Sequence, residues 1–454
     1  MVRLSGPGAH EVAQRVCGKP LKPRVAAYCD FCDADELIDQ GLALLFTQGA
    51  SFTGVEVVEL QGHGGPVVLQ RLLDLVCRLG ARLARPGEFS ERAFLNGNID
   101  LAQAEAIADL IASTSVSAAR AALRSLQGAF SKRVRSLEED LAALRVLVEA
   151  CIDFPEEDVD FLQQAQVTER IGELLAALRQ LKQECNQGQL LNEGASVALI
   201  GAPNAGKSSL LNVLSGEDAA IVTDIPGTTR DLLKVDLVLD GLPLRLVDTA
   251  GLRDSADTVE QIGVERARQQ ARQADLLLVI LDVSALTEAA EPPSLQASVE
   301  AELMELLAGL APAEPGPAGD VNGNVNDGQM IVVLNKADLV PPSVMLHPLI
   351  LNTPKFWVSA KTGAGLGELR RGITRALGFE HQEAAFTARA RHVEAVDHAN
   401  TALQTALQLL QQGEGTEIVA EELRAAHMAL GEIVGTVTPD DLLGRIFSEF
   451  CIGK

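Results

Sequence analysis

Short apolar runs separated by turns occupy the first hundred residues. Helical periodicity follows from about residue 98, then alternating strands and helices, then helices again. Residues 41–46 (Gly-Leu-Ala-Leu-Leu-Phe) and 55–60 (Val-Glu-Val-Val-Glu-Leu) read as strands, 66–79 as a helix and Arg82-Leu83-Ala84 as a further short strand. Leu126, Phe130, Val134, Leu137, Leu141, Leu144 and Val148 recur every three or four positions, on one stripe of a long helix. Val167, Ile171, Leu174, Leu178, Leu181 and Cys185 repeat the spacing. Each stripe needs a covering helix, and residues 393–410 and 418–434, helical in period again, are the natural partners. The pattern predicts a multidomain α/β and α protein: an N-terminal α+β domain over 1–97, a discontinuous helical domain over 98–193 and 378–454, and an α/β domain over 194–377 inserted between the helical parts. Such insertion is tolerated when the inserted domain's termini lie close together. Residues 312–329, rich in Pro, Gly and Asn, read as a disordered surface insertion.

Composition narrows the function classes. At 454 residues and 47% apolar, the chain can bury several cores. No apolar run approaches the roughly 18 residues of a membrane helix, and Met1 to Pro7 turn to a loop without a signal pattern. A net charge of -24 repels phosphate backbones unless basic residues gather locally. One Trp (Trp357) and one Tyr (Tyr28) leave little for base stacking. Action on nucleic acid would therefore need a partner to do much of the holding. Seven scattered cysteines, an odd number, do not read as a disulfide framework and favour a reducing cytoplasm. Cys29-Asp30-Phe31-Cys32 has the C-x-x-C form but lacks both a second ligand pair and a following helix, so coincidence is the better reading.

The inserted region carries chemistry. The strand Val197–Ile200 runs into Gly201-Ala202-Pro203-Asn204-Ala205-Gly206-Lys207-Ser208-Ser209 and a helix through Leu214, which is G-x-x-x-x-G-K-S in its required context. Its glycines let backbone N–H groups close around phosphates at a helix N-terminus. Lys207 is expected to reach the β and γ phosphates and Ser208 to ligate Mg²⁺. A second strand, paired through the Asp240-Gly241 turn, ends in Asp248-Thr249-Ala250-Gly251. Asp248 is expected to hold Mg²⁺ through water, and the Gly251 N–H to face the γ-phosphate. Asn335-Lys336-Ala337-Asp338 follows another strand, and the Asp338 carboxylate can accept from guanine N1–H and N2–H₂, donors that adenine lacks. Ser359-Ala360-Lys361 supplies a last base-contacting loop. Together these elements predict a guanine nucleotide site and resemble the Ras-type GTPase superfamily. Leu252 stands where Ras has its water-orienting Gln. Asp254, Asp257 and Glu260 are the nearest acidic substitutes; Arg230 and Arg253 are arginine-finger candidates whose default reading is solvated surface.

Further stretches resemble one family, the tRNA-modification GTPase MnmE (TrmE). They are Leu60-Gln61-Gly62-His63-Gly64-Gly65-Pro66, residues 85–96 (Arg-Pro-Gly-Glu-Phe-Ser-Glu-Arg-Ala-Phe-Leu-Asn), Asp100-Leu101-Ala102-Gln103-Ala104-Glu105-Ala106, Thr223-Asp224-Ile225-Pro226-Gly227-Thr228-Thr229-Arg230-Asp231, and the ending Asp441-Leu442-Leu443-Gly444-Arg445-Ile446-Phe447-Ser448-Glu449-Phe450-Cys451-Ile452-Gly453-Lys454. The resemblance implies a folate-binding, dimerising N-terminal domain, the discontinuous helical domain and an inserted Ras-like P-loop GTPase domain. It implies a homodimer that forms a heterotetramer with an FAD-containing MnmG (GidA)-type partner. Together they install an aminomethyl- or carboxymethylaminomethyl-type group on C5 of the wobble uridine of certain tRNAs. A tetrahydrofolate derivative (5-formyl or methylene) is the one-carbon donor, and GTP hydrolysis is required. G-domain dimerisation around K⁺ would then answer the Leu252 question. Asn204 matches a K⁺ ligand, Thr223, Ile225 and Thr228 would offer carbonyls, Thr229 matches the switch I Mg²⁺ ligand, and Glu260 matches the catalytic water-orienting glutamate. Without the resemblance Glu260 reads as a first-turn helix residue.

For folate, Arg3, Glu59 and Lys454 match family positions, while Asn98 replaces a frequent Lys, so one cationic contact is expected to be absent. Cys451 lies near that expected site. The family normally opens with a strand and a glycine-rich turn ahead of the Arg-Leu-Ser-Gly segment; here that segment starts at Arg3, so about one strand and a loop are expected to be absent. A competing reading from another class is an Era-like RNA-assembly switch without modification chemistry; Era-like proteins carry a basic domain after the G domain, whereas this tail is helical. GTP turnover is expected to be faster in KCl than in NaCl at equal ionic strength; equal slow rates would favour the switch.

Overall fold

The computed structural model describes residues 1–153, 161–216, 234–248, 269, 271–288, 292–308, 330–345, 349, 351, 353–379, 386–412, 416–436, 443–444 and 446–447. They divide into two compact units: residues 1–108, 125–181 and 394–454 in one, residues 109–124 and 182–393 in the other.

The first unit opens with four antiparallel strands, β1 (Val2–Ser5), β2 (Ala27–Asp33), β3 (Glu36–Phe46) and β4 (Val57–Gln61), in the order β1-β4-β3-β2. Strand alternation explains the face choice: Val58 and Leu60 are fully buried, while Glu59 and Gln61 face the other way. The buried face packs on helices Ala9–Cys17 and Pro66–Arg78 through Ala13, Val16, Leu72 and Leu75. Pro66 starts its helix, where its missing N–H costs nothing. Cys29 and Cys32 lie in β2 and are free, and no metal-binding group of three side chains occurs among the described residues.

Arg82-Leu83-Ala84 is not a strand; it is irregular. No strand of the four-stranded sheet pairs with it, and its arginine joins a side-chain cluster. Arg82 donates to both oxygens of Glu88 (2.8 and 2.6 Å), and Glu88 also accepts from the Arg85 N–H (2.9 Å) and Arg92 (2.8 Å). Glu88 is 4% exposed at the start of helix Glu88–Leu95. The Arg82 hydrogen bond outweighs burial and holds its carboxyl down at about 2.

Helix Ala129–Asp153 buries Phe130, Val134, Leu137, Leu141, Leu144 and Val148 and packs along helix Thr416–Val434. Leu126 does not belong to this helix. It ends the preceding one, Val116–Leu126, because Gly128 adopts φ 85° and breaks the path. Helix Phe161–Glu193 buries the second stripe from Val167 to Cys185, and helix Ala390–Gln412 covers residues 393–410. Asp100 and Gln103 form a reciprocal cap at the start of helix Leu101–Ala112: the Gln103 N–H reaches Asp100 Oδ1 (2.9 Å) and the Asp100 N–H reaches Gln103 Oε1 (3.0 Å). Ser131 and Arg135 donate to the same Asp100 carboxylate, at 2.9 and 2.8 Å.

The second unit holds six strands: β5 (Ala195–Ile200), β6 (Lys234–Leu239), β7 (Leu242–Asp248), β8 (Leu276–Asp282), β9 (Met330–Asn335) and β10 (Lys355–Trp357), ordered β10-β9-β8-β5-β7-β6. All neighbours are parallel except β6 with β7. A parallel sheet is covered on both faces, so β8 and β9 read as unbroken apolar runs. One face packs on helices Lys207–Gly216 and Leu366–Ala376, the other on Pro292–Ala308. The β6–β7 turn has positive φ at both Asp240 (51°) and Gly241 (90°), as a tight two-residue hairpin requires. Ser115 donates to the Gly241 carbonyl (3.0 Å), and a Cβ on Gly241 would sit 2.7 Å from Ser117 Oγ. Residues 312–329 lie outside the described residues. Among those described, no helix is long and apolar enough to cross a membrane.

Glu88 supplies a pH test. Its carboxyl ionises more readily in the fold than its ordinary value near 4.5, so its contribution is complete above that value and fades as pH falls toward about 2. Glu88→Gln is expected to flatten the acid-unfolding curve between those limits and to lower neutral-pH stability by roughly 1.5–3 kcal/mol, as read by urea denaturation at several pH values.

Candidate functional site: a nucleotide cradle

The cradle forms where β5 leaves the sheet. Residues Gly201 to Gly206 wrap the gap before helix Lys207–Gly216, whose first N–H groups point into it. Two glycines are sterically required. A Cβ on Gly201 would lie 2.3 Å from the Ile280 carbonyl oxygen, and one on Gly206 (φ 94°) would lie 2.2 Å from Asn335 Nδ2. Asn204 takes a left-handed φ of 67° at the loop's outer rim and is exposed. Lys207 spans the loop, donating to the carbonyls of Gly201 (2.7 Å) and Ala202 (3.0 Å). Ala205 is buried; Ser208 and Ser209 are exposed at the helix start. Asp248 is the last residue of β7, level with Leu199 of β5, which sets it beside the loop.

Asn335 joins this loop to the base-side loops. Its amide donates to the Ala205 carbonyl (2.8 Å), and its oxygen accepts the Ala360 N–H (3.2 Å). It is 2% exposed, so both bonds form without competing water. Asp338 accepts from Ser359 Oγ (2.6 Å), and that fully buried hydroxyl accepts the Thr362 N–H (3.1 Å). The Asp338 carboxylate is thereby aimed, with its second oxygen left for a ligand. Lys336 has a left-handed φ of 63° and an ion pair with Asp282. Burial by itself would push the Asp282 carboxyl up, but bonds from Lys336 and Ser284 outweigh it and hold it below the usual carboxylate range. Sequence reasoning missed Asp282. The available signal was an apolar strand, β8, ending in an acid level with Asn335.

The structure thus brings Asn204 to Ser209 together with Asn335, Lys336, Asp338, Ser359 and Ala360; Lys361 is exposed in the adjoining turn. Thr223, Asp224, Ile225, Pro226, Gly227, Thr228, Thr229, Thr249, Ala250, Gly251, Leu252 and Glu260 lie outside the described residues. In the N-terminal part, Arg3 pairs with Glu59 (2.8 Å) across β1 and β4 and stands 5.6 Å over the Phe89 ring. Arg3 and Phe89 border a cavity of about 650 Å³ with Leu73, Val76 and Arg92. Asn98 is committed elsewhere: its amide donates to the carbonyls of Ser51 (3.0 Å) and Phe52 (2.9 Å). Lys454 and Cys451 lie outside the described residues.

Comparison with known proteins follows the same layout. A model of the GTP-binding protein TrmE N-terminus matches residues 1–98, and a model of the MnmE helical domain matches residues 101–451. The tRNA modification GTPase MnmE of Pseudomonas aeruginosa is 51% identical over 457 residues, covering 100% of this chain and 95% of that protein. Those of Pseudomonas savastanoi pv. phaseolicola and Pseudomonas fluorescens are each 49% identical with the same coverage. The chain belongs to the MnmE family of tRNA modification GTPases.

The MnmE stretches outside the cradle have definite structural jobs. In Gln61-Gly62-His63, Asp39 accepts both the His63 N–H and its Nδ1 at 2.8 Å, and a Cβ on Gly62 would lie 2.2 Å from Asp39 Oδ2. Arg85 to Asn96 carries the Glu88 cluster, and Asp100 to Gln103 is the helix cap. For the cradle, Asn335→Ala is expected to unlink phosphate and base loops and weaken GDP and GTP binding by roughly 10- to 100-fold, measured by titration with a fluorescent nucleotide.

Proposed function

We propose that this MnmE family member is a K⁺-stimulated GTPase that, with a flavin-dependent MnmG-type partner, adds an aminomethyl- or carboxymethylaminomethyl-type group to C5 of the wobble uridine of certain tRNAs. A tetrahydrofolate derivative supplies the one-carbon unit. The observation that carries the GTPase half is the Asn335 tie, which locks phosphate-side and base-side loops into one rigid receptor. In that receptor Lys207 neutralises β and γ oxygens, and Asp338 selects guanine through two accepted hydrogen bonds. Ser208, exposed in the first helical turn, fits an Mg²⁺ ligand, with Thr229 and, through water, Asp248 completing the set. Asn204, exposed at the rim with φ 67°, fits a K⁺ ligand, with carbonyls of Thr223, Ile225 and Thr228. A monovalent cation held there would supply positive charge against the transferred phosphoryl, the place an arginine finger takes elsewhere. Glu260 orients the attacking water that Leu252 cannot.

The modification half rests on family membership and on the Arg3–Glu59 pair. Glu59 offers a bidentate acceptor for a pterin edge, and Arg3 offers charge beside an apolar cavity. Asn98 would join that site through its amide oxygen, since its amide donors hold the Ser51 and Phe52 carbonyls. We read the assembly as a cytoplasmic homodimer joined to its partner in a heterotetramer, and a net charge of -24 supports leaving most of the tRNA to that partner. Removing this protein from its host is expected to strip the C5 group from wobble uridines, seen by mass analysis of tRNA nucleosides. Wild-type modification in its absence would overturn the assignment.

A further inference from the structure

We propose that Asp282 is the positioning residue for guanine nucleotide binding: it holds Lys336 in place so that the lysine stem forms a fixed wall for the base. Three observations carry this. Lys336 adopts a left-handed backbone (φ 63°), which is uncommon for a residue with a Cβ. Its ammonium is ion-paired with Asp282 Oδ2, so a long side chain is tethered at both ends. The tether comes from a neighbouring strand at the same level, because Asp282 and Asn335 are register partners on β8 and β9. Lys336 sits between Asn335 and Asp338, whose side chains are already fixed by Ala205, Ala360 and Ser359. A lysine held beside them loses its rotamer freedom before the nucleotide arrives, and preorganisation of this kind raises affinity.

The carboxylate divides its two oxygens. Oδ2 takes Lys336, while Oδ1 accepts the Ser284 N–H (3.1 Å) and hydroxyl (2.6 Å) at the start of helix Val283–Glu288. This division separates a positioning role from a purely structural one. In Asp282→Asn the amide oxygen can still serve Ser284, but the amide nitrogen meets the Lys336 ammonium donor to donor and releases it. Among the described residues, Glu302 of helix Pro292–Ala308 is the further charged group coupled to the pair, its carboxyl pushed up by burial and by the Asp282 charge.

The inference rests on reading Asn335 to Asp338 as the base-side loop. The experiment uses the full chain, fluorescent GDP and GTP turnover in KCl. For Asp282→Asn the expected result is an approximately tenfold weaker GDP affinity and a matching rise in KM for GTP. Faster GDP release accounts for the change, with kcat and the unfolding midpoint retained. Lys336→Met is expected to lose a similar amount, and the double variant no more than either single one. Wild-type GDP affinity in Asp282→Asn would overturn the proposal, and so would additive losses in the double variant. Failure of the loop assignment looks different: Asn335→Ala would then bind GDP like the wild type.

Discussion

A single buried amide holds the nucleotide site together. Asn335 spends its donor on the Ala205 carbonyl and its acceptor on the Ala360 N–H, so three separate loops share one rigid frame. Nothing apolar could replace it, since both backbone groups would be left unpaired in a dry environment. Its closeness is also why Gly206 has no room for a side chain. The phosphate loop's shape is therefore dictated partly by a residue more than a hundred positions away.

The same economy recurs outside the cradle. Asp100, Glu88, Asp39 and Asp282 are each buried or half-buried carboxylates that serve several donors at once. In each case the anion satisfies backbone N–H groups at a helix start or a loop and also fixes a neighbouring side chain. That arrangement turns family signature stretches, which look like functional motifs, into fixtures of local geometry. Asn98 belongs with them: its amide staples the loop at Ser51 and Phe52.

Much of this was legible beforehand, for physical reasons. Apolar stripes at 130–148 and 167–185 and the unbroken runs of β8 and β9 report burial directly. The glycine-rich loop and the Asn335 and Ser359 segments stood out as fixed residue types at fixed spacings, and the structure brings them together through Asn335. What stayed hidden depended on contacts across sequence. Leu126 continues the helical period, yet Gly128 cuts its helix off from the one that starts at Ala129. Arg82 to Ala84 has the composition of a strand, but Glu88 captures the arginine. Asp282 drew no reading from the sequence; its register with Asn335 places it beside Lys336.

The hairpin tip at Asp240-Gly241 carries a mechanical consequence. Its strands extend about 20 Å, at roughly 3.3 Å per residue, from that turn to Lys234 and Asp248. At the opposite end, the turn is gripped by the Ser115 hydroxyl and crowded by Ser117. A two-stranded arm held in this way is anchored at its tip by one hydroxyl–carbonyl bond, so any tilt of its far end would be felt by the serines that open helix Val116–Leu126.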